Sequence, residues 1–175
     1  MKIISRKVYK RIIQTKPDLG HICTGSGFPL GEKVEQILER NRPVNYPSRK
    51  DVTFMRADEA FEGIGIIYDV GYVLTVEPEC EVFVTDVYWV GVLQARYSVT
   101  ENKSQVSHHE LSDDEVATNY WNAVNGSNEL DTSEYLTKRA KVVSVLSEPI
   151  LVNPYMMSFF GIHSYADYVK MNEES

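Results

Sequence analysis

The stretch Tyr46-Pro47-Ser48-Arg49, followed by the apolar run Val52-Thr53-Phe54-Met55, decides how this chain is read. Pro47 and Ser48 are turn formers, so Arg49 belongs to a loop, and the β-branched and aromatic residues after it form a short strand. Far downstream a lone acid stands in Ser133-Glu134-Tyr135-Leu136, at the edge of a second strand-like segment. A loop-anchored arginine and a distant strand-edge glutamate are the two chemistry-bearing groups that the rest of the sequence must be arranged around.

Working outward, Glu32 to Arg40 reads as a helix with Val34, Ile37 and Leu38 on its inner face, ended by Pro43 and Pro47. Before it, Gly20 to Gly31 holds four glycines and Pro29 and is predicted to be a loop. Val8, Ile12 and Ile13 fall near one helical face, which predicts a helix over 5–15, stopped before Pro17. The middle is strand-rich: Val52 to Met55, Ile66 to Tyr68, Tyr72 to Val76 and Glu81 to Thr85 are dense in β-branched and aromatic residues, with a helical turn over Ala57 to Phe61.

The segment Val87 to Tyr97 fits two templates. Asp86 could cap a helix, while Val87, Trp89, Gly91, Leu93 and Ala95 could alternate on a strand. Ser112-Asp113-Asp114-Glu115 is a capping box with acids in the first turn, opening a helix to about Ala123 that turns Val116, Tyr120 and Trp121 inward. Tyr135 to Leu136 and Val142 to Val145 are strand-like, and Tyr165 to Met171 is predicted to be a short helix. This order predicts an α+β fold with mostly antiparallel sheets and short peripheral helices.

With 175 residues and no repeat or linker, the chain is expected to form one domain, 1–175, burying roughly two-thirds of its unfolded surface. Cys23 and Cys80 are too few for a disulfide framework, and no signal-like or membrane-spanning apolar run appears, so a cytoplasmic setting is expected. The net charge of -7 argues against a broad nucleic-acid surface. Residues 2–16 nevertheless carry six Lys and Arg without an acid, which leaves a local basic face and a third reading as a small nucleic-acid-binding regulator.

Metal chemistry is poorly supported. His108-His109-Glu110 offers adjacent histidines that point apart on a strand, and no HExxH or paired CxxC is present. No GxSxG marks a serine nucleophile, and Gly25-Ser26-Gly27 lacks the lysine of a phosphate-binding P-loop.

Eight short segments together carry a resemblance. Glu35-Gln36-Ile37-Leu38-Glu39, Tyr46-Pro47-Ser48-Arg49, Val52-Thr53-Phe54, Ala57-Asp58-Glu59-Ala60 and Tyr72-Val73-Leu74-Thr75-Val76-Glu77 resemble the first half of a small ADP-ribosyltransferase-like domain. Asn119-Tyr120-Trp121-Asn122, Ser133-Glu134-Tyr135-Leu136-Thr137 and Lys141-Val142-Val143-Ser144-Val145 are similar to its late segment, so the likeness spans about 20–150. It implies NAD as cofactor, with Glu134 as the catalytic acid and His21, Tyr46, Ser48, Arg49 and Tyr72 around the cofactor.

Under that likeness Arg49 would hold a pyrophosphate oxygen, His21 the adenosine ribose, and Tyr46, Tyr68 or Tyr72 would stack on nicotinamide. The family's first-strand Arg or His has two rivals here, His21 and Arg6, and the Ser-Thr-Ser pattern of the arginine-specific branch is absent. The implied activity is transfer of ADP-ribose to a macromolecular acceptor, with a protein favoured over a nucleic acid, or hydrolysis of NAD. The alternative is a noncatalytic interaction module of the same fold that binds a protein partner.

Overall fold

A computed structural model describes residues 9–13, 17–25, 30–56, 70–98, 108–127, 132–145, 150–151 and 170. These residues form a mixed α+β structure with three helices and two small antiparallel sheets. The larger sheet has the order β1 (Tyr9–Ile13), β4 (Val70–Pro78), β7 (Arg139–Val145), β2 (Ile22–Thr24), with β8 (Ile150–Leu151) also paired to β4. The smaller sheet has the order β3 (Thr53–Met55), β6 (Ser133–Thr137), β5 (Phe83–Asp86).

Side-chain alternation on β6 shows how the layers meet. Leu136 joins a core with Val34, Ile37, Leu38, Leu93, Val116, Tyr120 and Trp121 from the helices. Tyr135 faces the opposite way, into a second core with Met55, Leu74, Val76 and Val142. The smaller sheet is thus packed by helices on one face and by the larger sheet on the other, as the two-residue period of a strand requires. Glu134, two residues before Leu136, takes the helical face.

The helix α1 (Glu32–Arg40) buries Val34, Ile37 and Leu38, and the indole of Trp121 donates to the Leu38 carbonyl at 2.7 Å. In α3 (Asp113–Trp121) both arms of the Ser112–Glu115 capping box are formed. The two-template segment is a helix, α2 (Tyr88–Ser98). Asp86 Oδ1 accepts from the Tyr88 amide at 2.9 Å, and Trp89, Val90, Val92 and Leu93 are buried together, a grouping that suits helical spacing.

Two expectations are overturned. Tyr9–Ile13 is a strand where a helix over 5–15 was expected, because its backbone pairs residue for residue with β4, from Tyr9 opposite Val76 to Ile13 opposite Tyr72. So short a helix is marginal in water, whereas a central partner strand satisfies every second amide. The glycine-rich loop of 20–31 likewise contains the strand Ile22–Thr24, paired with Arg139–Lys141. The strand expected over Ile66 to Tyr68, the turn over Ala57 to Phe61 and the helix over Tyr165 to Met171 lie outside the described residues, apart from Lys170, which is helical.

Among the described residues no helix is long and apolar enough to cross a membrane, and no group of three or more His, Cys, Asp or Glu is arranged to hold a metal ion.

Candidate functional site

The site begins in the loop after α1. Glu39 receives Arg42 Nε at 2.7 Å on one carboxylate oxygen and the Ser48 hydroxyl at 3.1 Å on the other, while Arg42 Nη1 donates to the Tyr46 carbonyl. Ser48 then opens a 3-10 turn over Arg49–Asp51, its carbonyl accepting from the Asp51 amide at 3.0 Å. Ser48 is therefore committed to shaping the loop. The turn is pressed from behind by Gly25, at the end of β2, where an added Cβ would lie 2.6 Å from the backbone of Lys50 and Asp51.

This turn drives Arg49 inward. It is 3% exposed, with its guanidinium carbon 4.6 Å from the Phe54 ring centroid and 5.1 Å from that of Tyr120. Nη1 donates to the Tyr120 hydroxyl and to Glu134 Oε2, the latter at 3.3 Å. Nε stands 3.4 Å from Glu35 Oε2 on α1, an ion pair whose angle is not that of a hydrogen bond. Burial opposes the arginine's charge, but Tyr120, Glu134 and Glu35 outweigh it and raise the pKa above its ordinary value.

Tyr120 is the hinge of the cluster. Burial above all, and then the Glu134 carboxylate, push its pKa far up, so the phenol keeps its proton. It accepts from Arg49 and donates to Glu134 Oε2 at 3.0 Å. Thr85 Oγ1 adds a long contact to the same oxygen at 3.5 Å. Every one of these donors converges on Oε2. Among the described residues none reaches Oε1, and the side chain retains 12% exposure. The carboxylate is thus pinned through one oxygen, and the other is unbonded among the described residues.

A second arginine stands beside it. Arg56, 7% exposed, follows β3 and donates through Nη1 to the Thr132 and Ser133 carbonyls at 3.0 and 2.9 Å, immediately before Glu134. The β3–β6 register pairs Thr53 with Thr137, Phe54 with Leu136 and Met55 with Tyr135, so one further step sets Arg56 opposite Glu134. Among the described residues no carboxylate pairs with it.

Of the residues singled out in the sequence, Arg49, Ser48 and Glu134 share one neighbourhood. Arg49 turns its guanidinium to Glu134 and Glu35, at 3.3 and 3.4 Å. Tyr46 lies to one side, packed on Phe83 at 4.8 Å and Trp121 at 5.6 Å, and with Pro47, Phe83, Cys80 and Lys138 it lines a pocket of about 360 Å³ that neither Arg49 nor Glu134 enters. Burial and then Glu81 raise the Tyr46 pKa, which keeps the phenol neutral.

His21 and Tyr72 belong to the larger sheet. His21 is exposed, its backbone bonded to Asp18 and Val142, and Tyr72 is half-buried on β4. Neither touches Arg49 or Glu134 among the described residues. Tyr68 and Arg6 lie outside the described residues. Glu35, Thr85, Tyr120 and Arg56 completed the cluster without having been singled out as site residues. The one available signal was polarity on an apolar face: Tyr120 on the buried side of its helix, and Arg56 closing an apolar strand.

Comparison of the chain with protein-family models, with curated proteins and with solved structures found no match.

Proposed function

We propose that the chain is an ADP-ribosyltransferase-like cytoplasmic protein that acts on NAD through Glu134, transferring ADP-ribose to a macromolecule or to water. The observation that carries this reading is the one-sided anchoring of the carboxylate: Arg49 and Tyr120 hold Oε2 and leave Oε1 for a substrate. NAD supplies a glycosidic bond whose cleavage builds positive charge on the ribose carbon, and a fixed, ionised carboxylate lowers the energy of that charge.

Within this reading each neighbour has a task. Arg49 is a positioning residue: its guanidinium holds Glu134 Oε2 and fixes the rotamer of that side chain. Tyr120 locks the same oxygen by donating its proton, and Glu35 balances Arg49 from the α1 side. Glu134 Oε1 faces the reacting carbon or orients the incoming nucleophile. The net charge of -7 favours a protein acceptor over a nucleic acid.

The test is nicotinamide release from labelled NAD by the purified chain, alone and with candidate acceptors. Glu134→Gln, which preserves shape, is expected to lower the rate about 10²- to 10³-fold. No release by the wild type, or unchanged release by the variant, overturns the catalytic reading.

A second reading is favoured by the depth of Arg49, whose charge is already answered by two carboxylates. In a noncatalytic interaction module the cluster would only brace α1, α3 and β6. Calorimetry without NAD binding, alongside a defined protein complex of the chain, would select it.

A further inference from the structure

We infer that Arg56 is the anion-binding residue of the Glu134 site, taking the phosphoryl oxygens of a diphosphate-bearing substrate. This rests on the reading of Glu134 as a substrate-facing carboxylate. It also replaces Arg49 on the phosphate side, where Arg49 has no charge to spare.

The premise is how each arginine's charge is answered. Arg49 has Glu35 at 3.4 Å and Glu134 at 3.3 Å. Arg56 is also buried, at 7% exposure against 3% for Arg49, yet among the described residues its guanidinium meets only two backbone carbonyls, both through Nη1. A guanidinium carries five N–H donors in a planar fork. Two carbonyl dipoles compensate a buried charge only in part, because each carries a fraction of the charge of a carboxylate. The uncommitted edge of the fork, Nε and Nη2, is the shape that accepts two oxygens of a phosphate.

Position adds a second argument. The two carbonyls that hold Nη1 belong to Thr132 and Ser133, the residues leading into Glu134, and the β3–β6 register puts Arg56 across from Glu134. Opposed residues of an antiparallel pair have Cβ atoms about 4.5–5.5 Å apart on one face. Cation and carboxylate are therefore neighbours on the helical face without being bonded to each other. An anion seated on Arg56 would lie on the strand face that carries Glu134, whereas at Arg49 the donor Nη1 is already turned onto Oε2.

Two probes separate the phosphoryl group from the rest of a nucleotide: inorganic pyrophosphate and adenosine. By calorimetry the wild-type chain is expected to bind pyrophosphate saturably, more weakly as salt rises, and not to bind adenosine with comparable affinity. Arg56→Gln is expected to weaken pyrophosphate about 10- to 100-fold. On the wild-type chain, the Arg56 Nε–Hε resonance, assigned by its loss in Arg56→Lys, is expected to move on pyrophosphate addition while that of Arg49 stays.

Absent pyrophosphate binding, or an Arg49 resonance that moves in place of the Arg56 one, overturns the assignment even where Arg56→Gln does not fold. Neither measurement needs turnover. Pyrophosphate bound at Arg56 without nicotinamide release removes only the catalytic reading, and nicotinamide release unaffected by Arg56→Gln removes only the anion site.

Discussion

The Tyr120 hydroxyl donates its proton to Glu134 Oε2 across 3.0 Å while accepting one from Arg49, so a single phenol oxygen bridges a helix, a turn and a strand. Tyr120→Phe keeps the ring and removes the bridge. The loss of a buried hydrogen bond to a charged group is expected to destabilise by about 2 kcal/mol, lowering Tm by roughly 4–8 °C in a chain of this length. Thermal unfolding with an unchanged Tm would show that the hydroxyl carries no energy.

Arg49 and Glu134 should behave as a unit. Arg49→Met leaves Glu134 and Glu35 facing each other without their cation, and such broken buried pairs typically lose about 3–5 kcal/mol. The double variant Arg49→Met with Glu134→Leu should be more stable than the Arg49 variant alone, because it removes the uncompensated charge. Urea unfolding of the four members of the cycle measures this, and strict additivity would contradict the pairing.

Gly25 is the back wall of the arginine turn. An alanine there would bring its Cβ to 2.6 Å from the Lys50 carbonyl and the Asp51 backbone, too close for either to remain in place. Gly25→Ala is expected to destabilise by about 1–3 kcal/mol, and the turn, being the lighter partner, is expected to move. A loss confined to stability, with Arg49 side-chain resonances unshifted, would refute the displacement.

Asp113 should be one source of acid sensitivity. Partial burial pushes its pKa up, but the Tyr97 hydroxyl and the Arg96 guanidinium, 2.8 Å away, more than reverse this and leave it below the ordinary aspartate value. A carboxyl with a depressed folded pKa stabilises the fold above its unfolded pKa, near 3.9, and loses that contribution as pH falls toward the folded value. Stability should therefore decline from about pH 5 downward. Asp113→Asn should show lower stability at neutral pH and a shallower decline, and identical acid limbs for the two proteins would exclude Asp113 as a source.

The elements legible in the sequence are those whose signals are local. Val34, Ile37 and Leu38 define α1 without help from any other segment, and the capping box of Ser112 and Glu115 fixes the start of α3. Val87 to Tyr97 fitted two periods because only Gln94 and Arg96 interrupt its run of apolar, aromatic and glycine residues, and Asp86, bonded to the Tyr88 amide, decides for a helix. Tyr9–Ile13 was misread because its partner, β4, lies some sixty residues away.

The candidate site shows the same division. Arg49 and Glu134 could be marked as chemistry-bearing, yet their 3.3 Å separation depends on how β6, α3 and the turn pack. No spacing in the chain encodes that Tyr120 and Arg49 choose the same oxygen, or that Arg56 meets only carbonyls among the described residues. Those are outcomes of three-dimensional competition for a few acceptors.

β6 is the middle strand of its sheet, bonded to β3 on one side and β5 on the other. Its amides are expected to be among the slowest to exchange with deuterium, whereas the Arg49–Asp51 turn, closed by the Asp51 amide on the Ser48 carbonyl, should open early and often. The ion pair therefore joins an anion on a central strand to a cation on a single short turn. Each excursion of the turn would unveil Glu134 for a moment without displacing it, giving the chain a clock for the exposure of its most guarded charge.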